Sequence, residues 1–217
     1  MSVPVDLYYT DISAPCRAVL LTAESIGLKF NKKVINLSAG EQHKPEFLAL
    51  NPQHCVPTMV DGDLILWESR PICSYLASQY GNDDSLYPKD PKKRAEVDRF
   101  LYFDMGTFYH RWGKFMYPPA FKGQQPDHSL LEPVREACGW LDSWLEGKDY
   151  VTGSNVTVAD FSLIASLTTM TEMGFNIDQW KNLSVWAKLC KDLPGYHEAN
   201  HVGAAKFGAF VKSKLQL

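Results

Sequence analysis

The stretch Asn51-Pro52-Gln53-His54-Cys55-Val56-Pro57-Thr58 decides how the first part of this chain folds. A residue that precedes proline is held in extended geometry, so Val56 enters the next strand with an extended backbone. If the Val56–Pro57 bond is cis, the N–H and C=O of Val56 face sideways, and a peptide-like ligand can pair with them as an added strand. The alternative is an ordinary proline turn into a strand.

Strand and helix patterns alternate on both sides of this stretch. Gly27 ends the first helix, and Asp61-Gly62-Asp63 is a hairpin turn signal between two short apolar runs. The predicted elements are strands at 5–9, 30–37, 58–60 and 64–66, and helices at 14–26, 45–50 and 68–80. The order β-α-β-α-β-β-α predicts a mixed sheet with helices on its faces.

After this region the strand patterns end. Residues 83–90 are polar and precede Pro91, which indicates a linker. Helical patterns then follow at 91–116, 128–145, 158–170, 183–189 and 204–215. The sequence therefore predicts an α+β protein with a sheet-containing domain at 1–82, a linker at 83–90 and an all-helical domain at 91–217.

One helix start in the second half carries a specific signal. Thr157 and Asp160 have the spacing of a capping box, in which the two residues satisfy each other's backbone N–H groups. For Asp160 we favour this structural role over a catalytic one.

Composition and charge exclude several classes of protein. The chain has 217 residues with 45% hydrophobic residues, and its net charge is −3. Nucleic-acid binding needs a clustered basic surface, so we expect no such partner. We also expect neither a membrane span nor a signal peptide. The cysteines are odd in number and widely spaced, which indicates reduced thiols in a cytoplasmic protein: Cys16, Cys55, Cys73, Cys138 and Cys190.

Glu68-Ser69 stands where the third helix of the first domain begins. The N–H groups and the positive dipole end of a helix N-terminus favour a bound carboxylate, and the Ser69 hydroxyl adds a donor. The Glu68 carboxylate can accept from an ammonium group. The pair therefore suits the amino and carboxyl groups of an amino acid, although a plain acidic first turn capped by Ser69 fits the same residues.

Ser13 precedes the first helix, whose first turn contains Pro15. A thiolate placed beside the Ser13 hydroxyl would gain a hydrogen bond and the helix dipole. Lowering a thiol pKa by about two units needs roughly 2.7 kcal/mol, which such contacts can supply. The alternative is that Ser13 only caps the helix. No histidine lies nearby in sequence, so a Ser-His-Asp mechanism is disfavoured.

An apolar cluster in the second half covers more than one face of a helix, although one stripe is enough to bury a helix. The excess can line an apolar pocket, while core packing is the more frequent role of any single member. The cluster comprises Met105, Phe108, Tyr109, Trp112, Phe115, Met116, Tyr117 and Phe121.

Several motifs together resemble the cytosolic glutathione S-transferases, with the insect delta class most similar and the epsilon class next. The resemblance covers residues 7–210, nearly the whole chain. It rests on Ser13-Ala-Pro-Cys-Arg17, Asn51-Pro-Gln-His-Cys-Val-Pro-Thr58, Trp67-Glu-Ser-Arg70, Ser85-Leu-Tyr-Pro88, Leu101-Tyr-Phe-Asp-Met-Gly-Thr107 and Val158-Ala-Asp-Phe161.

This resemblance implies a thioredoxin-like first domain, an all-helical second domain and a homodimer. It implies conjugation of glutathione to small hydrophobic electrophiles in detoxification, without a metal, and Ser13 as the residue that stabilises the glutathione thiolate. The glutathione-binding residues that it implies are Gln42, Gln53, His54, Val56, Pro57, Glu68, Ser69 and Arg70. The electrophile-binding residues are Tyr109, Trp112, Met116, Tyr117, Phe121, Phe207 and Phe210.

The chain departs from the family pattern near the ligand. Cys55 stands where relatives often have Thr, and Gln42 stands where some have His. Asp11-Ile12 replaces the common Pro-Gly before Ser13. Three alternatives stay open: Tyr9 as the thiol activator, Cys16 as a redox nucleophile, and a non-catalytic protein that binds glutathione or hydrophobic ligands.

Overall fold

A computed structural model describes residues 5–215 and 217. Its first part holds a four-stranded sheet in the order β2-β1-β3-β4. β1 pairs with β2 in parallel, and β3 pairs with β1 and β4 in antiparallel fashion. The predicted mixed sheet is confirmed. The strands are β1 (Asp6–Tyr9), β2 (Asn31–Val34), β3 (Thr58–Asp61) and β4 (Leu64–Trp67).

The predicted helices of this part are also present, as α1 (Ala14–Ser25), α2 (Pro45–Leu50) and α3 (Ser69–Tyr80). α1 and α3 pack against each other, because each presents an apolar stripe that needs a partner. Gly27 follows α1 with φ +71°, a conformation that glycine adopts without steric cost. Residues 81–90, between α3 and the next helix, contain neither helix nor strand.

The rest of the described chain is helical. Its helices are α4 (Pro91–Phe103), α5 (Tyr109–Lys122), α6 (Leu131–Trp144), α7 (Val158–Glu172), α8 (Lys181–Lys191) and α9 (Val202–Leu215). A π-helical segment (Asp104–Phe108) joins α4 to α5. The predicted helix end at Met116 is wrong, because the helix continues through Pro118 and Pro119 to Gly123, which has the left-handed conformation that ends helices.

α7 connects the two parts. Residues 158–170 of this helix are all buried, and it packs against α1, α4 and α9. A helix that is buried on all its faces is a core helix, and its buried polar side chains, such as Ser162 and Thr168, are hydrogen-bonded. The capping box predicted at Thr157 and Asp160 is present at its N-terminus. The start of α7 is therefore fixed by local sequence, while its burial is fixed by its neighbours.

Candidate active site

Ser13 is the N-cap of α1 and lies at the end of the turn that follows β1. Its Oγ accepts a hydrogen bond from the backbone N–H of Cys16 at 3.4 Å, and its own backbone N–H donates to the carbonyl of Thr10 at 3.3 Å. In the part of the chain that the structure describes, the Ser13 hydroxyl hydrogen has no acceptor. The hydroxyl can therefore cap the helix through a lone pair and still donate its hydrogen to a ligand.

The Val56–Pro57 peptide bond is cis. Val56 is half-buried, and among residues 5–215 and 217 its backbone N–H and C=O have no hydrogen-bond partner. The register of β1 and β3 pairs Tyr8 with Thr58, so Val56 stands opposite Thr10, at the start of the Ser13 turn. This backbone edge is thus open for pairing and adjacent to the serine.

Glu68 has φ +72° and ψ 111°, in the left-handed half of backbone space. A non-glycine residue there costs on the order of 1–3 kcal/mol, and such strain concentrates at functional positions. The register of β3 and β4 pairs Thr58 with Trp67, which places Glu68 next to Pro57. Ser69 follows as the first residue of α3, and no side chain caps that helix. Its first N–H groups are available to a carboxylate.

A cleft of about 340 Å³ opens between the Ser13 turn and the helical part of the molecule. On one side lie Ser13, Gln42, His54, Cys55 and Val56. The opposite wall is largely aromatic and comprises Tyr109, Met116, Tyr117, Phe121 and Phe207. The hydroxyls of Tyr109 and Tyr117 share a short hydrogen bond, and burial raises the pKa of both phenols. The cleft thus joins a polar edge to an apolar wall.

The predicted glutathione-binding residues Gln42, Gln53 and His54 differ in their placement. Gln42 and His54 line the cleft, and the Oε1 of Gln42 is buried with no partner among the described residues. Gln53 does not line the cleft, because it is exposed and its Oε1 accepts from the indole N–H of Trp67 at 3.0 Å. His54 has φ +44°, so two of the predicted ligand residues, His54 and Glu68, adopt unusual backbone conformations.

Arg70 belongs to a buried network and lies outside the cleft. Its Nη2 contacts Asp104 Oδ2 at 2.5 Å and its Nη1 donates to Ser69 Oγ at 3.1 Å. Asp104 is fully buried and also accepts from the Ser162 hydroxyl at 2.5 Å. Burial lowers the pKa of Arg70, but the Asp104 carboxylate outweighs this effect and raises it. The network ties the start of α3 to the π-helical segment and to α7.

Trp112 and Phe210 do not line the cleft, although the sequence predicts both as electrophile-binding residues. Trp112 is 0% exposed and packs in the core against Phe115 and Phe175. Phe210 lies at the rim, where its exposed ring contacts Phe121.

Sequence patterns do not predict several residues that the structure brings to the cleft. Ile12 and Thr10 flank the Ser13 turn, and their closeness to Ser13 in the sequence is enough to predict them as cleft residues. Leu37, in a short 3-10 helix, and Thr169, near the end of α7, also line it. No sequence pattern predicts Thr169 as a cleft residue, because only tertiary packing brings α7 to the cleft.

The two alternative activators occupy less suitable places. Tyr9 does not line the cleft, and burial, followed by the nearby Asp11 carboxylate, raises the pKa of its phenol. Cys16 is fully buried, and burial raises the pKa of its thiol to about 11. A buried neutral thiol is a poor nucleophile, so the geometry disfavours Cys16.

Within the described ranges, no group of three or more His, Cys, Asp or Glu side chains could hold a metal ion. No helix described there has both the length and the apolar character needed to cross a bilayer.

The fold and the cleft together define a thioredoxin-like sheet domain followed by a helical domain, with an unpaired backbone edge facing an aromatic wall. Two family models match the chain: the glutathione S-transferase N-terminal domain at residues 6–78 and the C-terminal domain at residues 107–194. The chain belongs to the glutathione S-transferase family, and it is an enzyme that conjugates glutathione.

Solved structures of insect glutathione transferases agree with this assignment. A delta-class enzyme from Nilaparvata lugens is 46% identical with a TM-score of 0.94, covering 97% of this chain and 100% of its own. An epsilon-class enzyme from the housefly Musca domestica is 40% identical with a TM-score of 0.92, covering 97% and 98%. A Drosophila mojavensis homologue with bound glutathione is 38% identical with a TM-score of 0.91, covering 98% of each chain. The expected delta-class similarity and the glutathione-binding fold are confirmed.

Proposed function

We propose that the Ser13 hydroxyl stabilises the glutathione thiolate, which then attacks a hydrophobic electrophile held against the aromatic wall. The observation that carries this proposal is the position of Ser13 in the cleft, with its hydrogen free while its oxygen accepts from Cys16 N–H. The thiol proton leaves to solvent. The sulfur lone pair forms the new S–C bond, and the leaving group departs with the electrons of the bond that breaks.

For glutathione we propose an extended pose along the open backbone edge. The N–H and C=O of Val56, beside cis-Pro57, pair with the tripeptide backbone as an added strand. The γ-glutamyl carboxylate meets the N-terminus of α3 and the Ser69 hydroxyl, and its ammonium meets the Glu68 carboxylate. Arg70 does not contact the ligand in this pose, but it stabilises the position of the Ser69 hydroxyl by donating a hydrogen bond to Ser69 Oγ.

At the glycyl end we propose Gln42 and His54 as direct contacts. Both side chains line the cleft, and the Gln42 amide is held there by a hydrogen bond from its Nε2 to the Leu37 carbonyl at 3.4 Å. Gln53 acts less directly, because its hydrogen bond to Trp67 holds the loop that carries His54.

The electrophile site that we propose is the wall opposite Ser13. It consists of Tyr109, Met116, Tyr117, Phe121 and Phe207, with Phe210 at the rim. Its composition favours flat apolar substrates, because stacked and edge-on aromatic contacts add to the burial of apolar surface. Such substrates fit a role in detoxification. Trp112 is left out, since its burial makes it a core residue.

We also propose a homodimer formed through the α3–α4 face. This face has a hollow of about 380 Å³ that includes Leu101, Tyr102 and Met105, and Tyr102 is 69% exposed. Exposed apolar patches of this kind mark interaction surfaces.

The domain boundaries at 1–82, 83–90 and 91–217 are likewise proposed, with support from the irregular segment 81–90. Five free cysteines support a reducing cytoplasm.

The experiment is a titration of enzyme-bound glutathione in the parent and in Ser13→Ala, with the thiolate followed by its ultraviolet absorbance. A hydrogen bond to a charged acceptor contributes about 1.5–3 kcal/mol, so the bound thiol's pKa is expected to rise by roughly 1–2 units. Turnover at neutral pH falls accordingly. Tyr9→Phe is the matched control and keeps the parent pKa. An unchanged thiol pKa in Ser13→Ala, or a larger rise in Tyr9→Phe, overturns the role of Ser13.

A further inference from the structure

Arg17, on the first turn of α1, is a guanidinium group with 0% exposure. All five of its N–H donors are satisfied by uncharged oxygens: Asn200 Oδ1 at 2.9 Å, the carbonyls of Asp11, Ile12 and Ala165 at 3.3, 2.8 and 3.1 Å, and the Thr169 hydroxyl. In the described chain no carboxylate lies within ion-pairing distance of it. A buried charge without a counter-ion is costly, so this arrangement calls for an explanation.

Two hydrogen-bond partners of Arg17 line the cleft. Ile12, whose carbonyl accepts from Nη1, immediately precedes Ser13, and Thr169, which accepts from Nη2, lies on the helical side. The guanidinium therefore stands one layer of atoms behind the Ser13 turn, and it fixes that turn through the carbonyls of Asp11 and Ile12.

The groups that face Arg17 leave its charge uncompensated. The Asp11 carboxylate is paired with Lys206 Nζ at 2.5 Å. Burial raises the pKa of Tyr109, Tyr196 and Cys16, so these side chains are neutral at neutral pH. Burial also lowers the pKa of Arg17 to about 10, which leaves it protonated.

We propose that Arg17 is a positioning residue for the conjugation reaction: it holds the Asp11-Ile12-Ser13 turn, and its uncompensated buried charge stabilises the glutathione thiolate over the thiol. This inference rests on the proposed binding of the thiol at Ser13. At an effective dielectric constant of about 20, a unit charge about 10 Å from the sulfur, on the far side of the Ser13 turn, is expected to shift the thiol's pKa by roughly one unit.

The sharpest test is Asn200→Asp. It places a carboxylate where Asn200 Oδ1 accepts from Arg17 Nε, and it leaves the side-chain volume unchanged. The hydrogen bonds from Arg17 Nη1 to the carbonyls of Asp11 and Ile12 are kept. Thr168, which now accepts from the Asn200 amide, can donate to the new carboxylate and accept from Tyr196. The bound thiol's pKa should rise by about one unit. Below that pKa, kcat/KM should fall about tenfold and return toward the parent value at higher pH. Asn176→Asp, on an exposed residue, makes the same change in net charge and should match the parent.

A second pair of variants keeps the proposal testable if Asn200→Asp does not fold. Arg17→Lys keeps the charge and should hold the bound thiol's pKa close to that of the parent, whereas Arg17→Met should raise it. A folded Asn200→Asp with an unchanged pH profile, or equal pKa rises in Arg17→Lys and Arg17→Met, overturns the proposal. Ser13→Ala, measured alongside, separates the two ideas: if it alone leaves the thiol's pKa unchanged, the role of Ser13 fails and that of Arg17 stands.

Discussion

At the scale of single residues, the turn before α1 combines helix capping with the thiolate stabilisation that we propose for Ser13. The Ser13 oxygen accepts from Cys16 N–H, and Arg17 binds the carbonyls of Asp11 and Ile12. An N-cap contributes about 1 kcal/mol to stability, so a serine here serves the fold even without a ligand. The same contacts hold its hydroxyl in one place, which catalysis also needs.

Cys55 is the cysteine that the site exposes. The other four are fully buried, and burial raises the pKa of Cys16 and Cys73 to about 11 and that of Cys138 to about 12. Cys55 is half-buried in the cleft, where Asn51 Nδ2 lies 3.3 Å from its sulfur. We expect a maleimide reagent at neutral pH to modify one cysteine per chain, Cys55, with loss of activity.

Peptide mass spectrometry locates the modified residue. A non-thiol glutathione analogue should slow the modification, because it covers the cleft, and Cys55→Thr should resist the reagent while retaining activity. First modification at any of the buried cysteines, or no protection by the analogue, would contradict the expected arrangement.

Site residues were predictable where a local motif carries them and unpredictable where packing does. Ser13, Val56 and Glu68 lie in turns that the neighbouring residues in the sequence identify. Thr169 reaches the cleft only because α7 packs against α1. Trp112 has helical spacing to the cleft residue Met116, yet its ring packs against Phe175 in the core. Periodicity identifies that a helix has an apolar face, but it does not say which neighbour that face meets.

At the scale of elements, the N-terminus of α7 has a carboxylate that is more than a cap. Asp160 is fully buried and accepts from the N–H groups of Thr157 and Val151 at 2.9 and 3.0 Å, and from the indole of Trp186 at 3.0 Å. One side chain thereby connects α7, the preceding loop and α8. The sequence predicted its capping bond, while the other two are long-range and had no local signal.

Asp160→Ala is therefore expected to cost about 3 kcal/mol or more, since it leaves buried donors unsatisfied at about 1–3 kcal/mol each. Thr157→Ala should cost about 1 kcal/mol. Urea unfolding at fixed protein concentration measures both. Asp127→Ala is the matched control, because Asp127 caps a short helix from the exposed surface. A loss in Asp160→Ala no larger than in this control would contradict the network.

The predicted order of elements is confirmed, because periods of two and about 3.6 residues differ clearly over whole segments. The junction between α4 and α5 was missed, since a π-helical insertion preserves an apolar helical pattern and changes only which residues face inward. That insertion turns Asp104 into the core, opposite Arg70 and Ser162.

At the scale of the whole molecule, this buried triad connects the glutathione half to the helical half. Asp104 holds Arg70 of α3 and Ser162 of α7 together, and Arg70 in turn donates to Ser69, at the proposed γ-glutamyl position. We expect a change in the helical core to reach the proposed substrate-binding edge through these contacts.

Asp104→Asn tests this connection, because it leaves the Arg70 charge buried without a counter-ion, a loss of about 3–5 kcal/mol for pairs of this kind. The freed guanidinium should also disorder Ser69, so the KM for glutathione should rise several-fold with a smaller change in kcat. Urea unfolding and steady-state kinetics at varied glutathione measure the two effects. Glu96→Gln breaks the exposed pair with Arg99 and should cost at most about 1 kcal/mol with an unchanged KM. If Asp104→Asn matches that control in both measurements, the triad does not couple the two halves.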